Sequence, residues 1–207
     1  MNRRQRGDRR KLFETASGQS GYFTARQAHE AGFSRWSLYH HVKTGTFERV
    51  AHGFYRFPEF PASSYEDVRA AWLQTGPDRA VVSFETALLL HELSSIRPRK
   101  IHLTVPREAR RRRAGSLLPA VQVHTTTKPL GTGEVIWTHG VKATSPARTL
   151  IDVAEGGVDP SEVIGAVAQA LSRGLVTPHE LRDATAERPA RVVELIDHAL
   201  AEAGHAA

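Results

Sequence analysis

Between Thr24 and Gly45 the chain is punctuated so closely that few folds remain open to it. Thr24 followed three residues later by Gln27 is a capping box, in which each side chain satisfies an orphan amide of the other at a helix start. Gly32 supplies the left-handed residue that ends such a helix, Ser34 caps the next one, and Gly45 stops it. These signals predict helices over Thr24–Ala31 and from Ser34 to about Thr44, separated by a tight turn. Upstream, a further helix is expected over Arg9–Ala16 and is broken between Gly18 and Gly21. Downstream the chemistry changes: Phe47, Val50, Phe54, Tyr55 and Phe57 flank the turn-like Ala51-His52-Gly53, which predicts a two-stranded hairpin. Helix, helix, turn, helix, hairpin is the order of a winged helix-turn-helix over residues 1–57.

The charge lies in the same segment. The formal net charge of the 207 residues is +6. Residues 1–57 hold nine Arg and two Lys against Asp8, Glu14, Glu30 and Glu48, or +7, while the remainder holds 17 basic and 18 acidic residues, or −1. A cationic helix-turn-helix followed by a near-neutral remainder suits a double-stranded DNA partner. If Leu38 and Val42, one turn apart, face inward, the third helix presents Arg35, Trp36, Ser37, Tyr39, His40 and Lys43 outward. Arg35 suits a guanine edge or a phosphate, Ser37 and His40 donate or accept, and Tyr39 and Lys43 suit the flanking backbone. His41 lies nearer the Leu38 side. In the hairpin, Arg49, His52 and Arg56 are the candidates for phosphates or an adjacent minor groove, with Gly53 supplying the positive φ of the turn. A basic arm of Arg3, Arg4, Arg6, Arg9, Arg10 and Lys11 would add affinity without sequence choice. Trp36 reads equally well as a buried or interface indole, and helix-turn-helix units also serve as protein–protein modules.

Pro58-Glu59-Phe60-Pro61 reads as a short extended linker, so a second domain is expected over residues 62–207. It begins with helices over Ser64–Gln74 and Ser83–Leu93. Short strands follow at Ile101–Val105, Val121–Thr125, Val135–His139 and Val141–Thr144. Ser145 with Pro146, Asp159 with Pro160, and Thr177 with Pro178 and Glu180 then open three helices, and Arg191–Ala203 forms a last one. The fold class expected is α+β: a winged helix-turn-helix, then a mixed α/β domain with a short sheet and a helical tail. Arg107, Arg110, Arg111, Arg112 and Arg113, after the strand-ending Pro106, form a second basic patch on a loop; a solvated loop is the plainer account of it.

Enzymatic chemistry finds little support. There is no cysteine, which removes disulfides, thiolate metal sites and cysteine nucleophiles together. His91, His102, His124 and His139 carry no metal-ligand spacing, and His102 and His124 alternate with apolar residues as on the polar face of a sheet. Gly131-Thr132-Gly133 lacks the helix of a dinucleotide fingerprint and reads as a turn. Glu85, Asp152 and Lys142 have no spacing that asks for a nuclease centre. No cofactor and no metal is expected. No stretch is long and apolar enough to span a bilayer, and the first residues show no apolar signal region, so a cytoplasmic protein is expected.

Phe33-Ser34-Arg35, the segment Arg49-Val50-Ala51-His52-Gly53-Phe54-Tyr55-Arg56 and, above all, Ala143-Thr144-Ser145-Pro146-Ala147-Arg148-Thr149-Leu150-Ile151-Asp152-Val153-Ala154 resemble the AbiEi-type antitoxins of type IV toxin–antitoxin systems. Residues 82–93 and 101–106 follow the same pattern, so the resemblance spans nearly the whole chain. It implies a winged helix that binds and represses the operon's own promoter, and a C-terminal domain that counteracts a nucleotidyltransferase-like toxin. Within the most specific segment, Arg148 is expected to pair with Asp152 one turn later. A nucleic-acid-processing enzyme that uses the winged helix for targeting, and a protein–protein adaptor, are the competing functions.

Overall fold

The computed structural model describes residues 7–61, 64–94, 97–109 and 121–205. They divide into two units, the first running to Asp78 and the second starting at Arg79.

In the first unit, Asp8 caps α1 (Arg9–Ser17) by accepting from the Lys11 amide. After Gly21 at φ +87° comes β1 (Tyr22–Thr24), whose last residue is also the cap of α2 (Ala25–Glu30), with the Thr24–Gln27 capping box in place. Gly32 at φ +85° ends the turn, and the Ser34 hydroxyl caps α3 (Arg35–Lys43) through the Ser37 amide. A hairpin of β2 (Glu48–Ala51) and β3 (Phe54–Arg56) follows. β3 also pairs antiparallel with β1, giving a three-stranded sheet of order β1-β3-β2. The three helices and the sheet enclose an aromatic core in which Phe23, Phe33, Phe47 and Phe57 join Leu12, Ala28 and Leu38. Such rings each bury a large apolar area, and edge-to-face pairs such as Phe47 on Phe57, at 5.0 Å, add to it.

Two features differ from the expectation. Strand β1 is extra: Tyr22, Phe23 and Thr24 are buried, and their ladder partners lie on β3. The segment 58–61 is a turn and not an extended linker, because the Phe60 amide donates to the Phe57 carbonyl and the Phe60 ring packs on the first core. Helix α4 (Glu66–Thr75) therefore also belongs with the first unit. The Tyr22 hydroxyl donates to Glu66 at 2.6 Å, the Gln74 amide donates to the His52 carbonyl, and the Arg69 guanidinium lies 4.8 Å from the Tyr22 ring centre.

The second unit is built on a mixed five-stranded sheet of order β6-β5-β4-β8-β7, formed by β4 (Val81–Val82), β5 (Ile101–Pro106), β6 (Val121–Thr126), β7 (Val135–Thr138) and β8 (Val141–Thr144). The central strand β4, only two residues long, was not foreseen. It pairs antiparallel with β5 and parallel with β8. Helix α5 (Phe84–Leu90) packs with α6 (Pro146–Gly156), α7 (Pro160–Ser172), α8 (Pro178–Thr185) and α9 (Ala190–His205), and their apolar sides form one cluster around Leu150, Ile151, Val163, Val167, Leu181 and Ile196. The caps foreseen at Ser145, Asp159 and Thr177 are all made. The chain is thus α+β in both units. Among the described residues no helix is long and apolar enough to cross a membrane.

Candidate nucleic-acid interface

Helix α3 owes its orientation to Leu38, 4% exposed, and to Val42 and His41, which lie against the core. The His41 ring packs on Phe33 and Phe47; burial, reinforced by His40 and Arg9, holds its pKa below the ordinary value. It faces inward, as its position beside Leu38 suggested.

The opposite side carries Trp36 at 69% and Tyr39 at 59% exposure, with Arg35, His40 and Lys43 also exposed. At about 100° per residue, Trp36, Tyr39, His40 and Lys43 fall within roughly 100° of arc, with Arg35 at one border and Ser37 at the other. The stripe is internally ordered. The Trp36 and His40 rings stack with centres 5.6 Å apart and planes 7° apart, and the Lys43 ammonium lies 5.1 Å from the Tyr39 ring centre. Ser37 is half-buried, and its hydroxyl donates to the Ser34 carbonyl, so the local turn uses its proton. No carboxylate occurs anywhere on α3. Beside its N-terminus a groove of about 1360 Å³ is lined by Arg9, His29, Trp36, Ser37 and His40. His29, in the last turn of α2, escaped the sequence reading; its place one residue before the helix end was the available signal.

The other candidates separate into available and engaged cations. Arg49 and His52 are exposed at the hairpin and lie 3.2 Å apart, Arg49 Nη2 to His52 Nδ1. Arg56 is not presented as the sequence suggested. Its side chain is 17% exposed and donates to Glu48 and to the Phe60 carbonyl, with Glu66 at 3.9 Å. Burial opposes its charge, but Glu48 foremost holds the pKa above its ordinary value. The described residues of the arm are exposed. Arg9, Arg10 and Lys11 are the first residues of α1; Arg9 pairs with Glu59 at 2.7 Å, Arg10 faces Glu14, and the Lys11 ammonium donates to the Glu30 carbonyl. Arg3, Arg4 and Arg6 lie outside the described residues. So do Arg110, Arg111, Arg112 and Arg113; Arg107, exposed, opens a single 3-10 turn after β5.

In the second unit, Glu85, His102 and His124 meet on the sheet face: Glu85 Oε2 is 2.8 Å from His102 Nδ1, which is 3.1 Å from His124 Nε2. Phe84 stacks on His124 with ring centres 3.7 Å apart. Burial, then the neighbouring His102, lowers the His124 pKa to about 4. Among the described residues no group of three His, Asp or Glu side chains is arranged to hold a metal ion. Of the other histidines, His91 Nε2 lies 2.7 Å from the Thr144 carbonyl and His139 Nε2 lies 3.1 Å from the Leu90 carbonyl, so both tie α5 to its surroundings. Arg148 makes the pair with Asp152 expected of it, at 2.7 Å, and a second with Glu134 at 2.5 Å.

Residues 10–58 match a family model described as transcriptional regulator, AbiEi antitoxin, and residues 79–202 match the AbiEi antitoxin C-terminal domain. Among solved structures, the crystal structure of the RV2827C protein from Mycobacterium tuberculosis is similar with a TM-score of 0.59, over 93% of this chain and 75% of that one. At 15% identity that is a likeness of fold alone. No curated protein matches the chain.

Proposed function

Because the chain belongs to the AbiEi antitoxin family, whose models cover both of its units, we propose that it is a sequence-specific repressor of its own promoter and the antitoxin of a toxin–antitoxin pair. Its first unit acts as a winged helix-turn-helix on duplex DNA. The observation that carries this reading is the outer side of α3: an ordered, exposed stripe that holds two cations and no carboxylate, with nothing among the described residues of its own unit covering it. A helix about 10–12 Å across fits the major groove, and the hairpin with Arg49 and His52 sits where phosphates or an adjacent minor groove would be met.

The second unit acts by recognition and not by catalysis, with a nucleotidyltransferase-like toxin as its partner. Its polar clusters support that reading, since Arg148, Glu134 and Asp152, like His91 and His139, are tied to neighbouring protein groups.

Gel shifts of the full chain on the duplex just upstream of its own gene test the proposal. Specific, salt-sensitive binding is expected. Arg35→Ala should lower discrimination between that duplex and an unrelated one by about tenfold or more, the worth of a good base contact. Equal affinity for both duplexes in the unsubstituted protein would refute sequence-specific repression.

A further inference from the structure

The α3 stripe is largely ring surface: Trp36, Tyr39 and His40 share it with the Lys43 ammonium, and Arg35 and Ser37 lie at its borders. Trp36 is 69% exposed and Tyr39 59%, in a unit where Tyr22, Phe23, Phe47, Phe54 and Phe57 are no more than 1% exposed and Phe13, the next large apolar ring on the surface, reaches 37%. Large indole and phenol faces left in water on one side of a helix mark a contact surface. These two are also held in place. His40 lies parallel to Trp36 one turn on, and Lys43 lies over Tyr39 one turn on, so each ring has a partner that restricts its rotamers before anything binds. A preordered ring loses little freedom on binding.

A duplex offers such rings little to hold on to. Its phosphates and the nitrogen and oxygen edges of its bases call for polar partners, and the stacked base faces are inaccessible. The apolar group that the major groove displays is the C5-methyl of thymine. We propose that Trp36 and Tyr39 are specificity-determining residues that read thymine methyl groups, so that the operator half-site places thymines opposite the middle of α3. This rests on the reading of the first unit as a duplex-DNA binder. Arg35, at the border of the stripe, is left for a guanine edge or a phosphate, and the Lys43 ammonium, 5.1 Å from the Tyr39 ring centre, for a phosphate beside the thymine that ring reads.

The test uses the full chain and a duplex selected by it from a random library. Each thymine of the selected duplex is replaced in turn by deoxyuridine, which keeps both pairing and the O4 acceptor and removes one methyl. At one or two positions per half-site the affinity should fall about fourfold, the worth of one buried carbon. In Trp36→Ala or Tyr39→Ala, whose parent side chains are exposed, the same replacement should have no effect at the position that ring reads. Binding that survives every deoxyuridine replacement unchanged would overturn the inference and leave the promoter reading standing. Failure to select any duplex would remove both. Tighter binding to the single strand than to the duplex, lost in Trp36→Ala, would instead make the rings stacking platforms for bases and overturn methyl reading. A change of oligomeric state in Trp36→Ala, seen by sedimentation and without a methyl effect, would assign the rings to a protein contact and likewise overturn it.

Discussion

Replacing Arg148 by Met tests what holds the most family-specific segment in place. The guanidinium donates through Nε to Asp152 at 2.7 Å and through Nη1 to Glu134 at 2.5 Å. The Asp152 side chain is 5% exposed and Arg148 16%, so the pair is largely desolvated. Burial pushes the Asp152 carboxyl above its usual pKa even with Arg148 beside it. Arg148→Met leaves that carboxylate buried without its cation, which costs about 3–5 kcal/mol, a large share of the ~5–15 kcal/mol typical of a folded domain. Adding Asp152→Leu replaces the pair with apolar groups and should return most of the loss, because well-packed apolar replacements of buried pairs are often neutral. The pH dependence has a definite sign. With Arg148 gone the folded-state pKa of Asp152 rises further above its unfolded value, so the penalty is present at pH 7 and fades as the pH falls toward the unfolded pKa, where both states are protonated. Urea unfolding of the full chain, followed by circular dichroism at several pH values between 7 and 5, measures this. A single-variant deficit under about 1 kcal/mol, a double variant as unstable as the single one, or a deficit that ignores pH would each refute the argument.

Two other perturbations address local structure. Thr24→Ala removes the side-chain half of the capping box at α2 and should destabilise the first unit by about 1 kcal/mol, whereas Thr24→Ser should retain most of it; denaturant midpoints at constant slope give the difference. His124 stays neutral in the fold because burial, then His102, lowers its pKa from 6.5 to about 4. The unfolded chain therefore takes up a proton first, and this site loses stability as the pH falls from about 6.5 to about 4. In His124→Gln the decline across that window should be shallower, and an unchanged slope in thermal melts would contradict the assigned environment.

What could be read from the residues alone was whatever is settled within one helical turn. Thr24 with Gln27, Ser34 with Ser37, Ser145 with Arg148 and Thr177 with Glu180 each close a hydrogen bond over three residues, and every one is made in the structure. The two strands that escaped are those whose reason for existing lies elsewhere in the chain. Three residues of β1 and two of β4 are too few to show a period of two. Their partners on β3, β5 and β8 supply the ladder, so the strand is a tertiary fact before it is a local one. Helix α4 shows the same limit. It has no side-chain cap, and its position follows from Tyr22 donating to Glu66 and Gln74 to the His52 carbonyl, contacts across 44 and 22 residues.

The interface divides along the same line, and the division bears on how charge is used as evidence. The outward stripe of α3 followed from its period, and the ring pairs Trp36 with His40 and Tyr39 with Lys43 are each one turn apart. Which cations remain available did not follow. The surplus of seven counts Arg9, Lys11 and Arg56 on equal terms with Arg35, yet Arg9 is held by Glu59, Lys11 by the Glu30 carbonyl and Arg56 by Glu48. Neutralising a phosphate with one of these residues first requires breaking a contact the fold already makes, so its contribution to counterion release is smaller than a free cation's. Among the described residues of the unit, the exposed cations that no carboxylate or backbone carbonyl holds are Arg35, Lys43 and Arg49, on α3 and the hairpin. The described cations should therefore contribute a salt slope set by a few phosphate contacts, with the choice of sequence resting on the ordered rings between them.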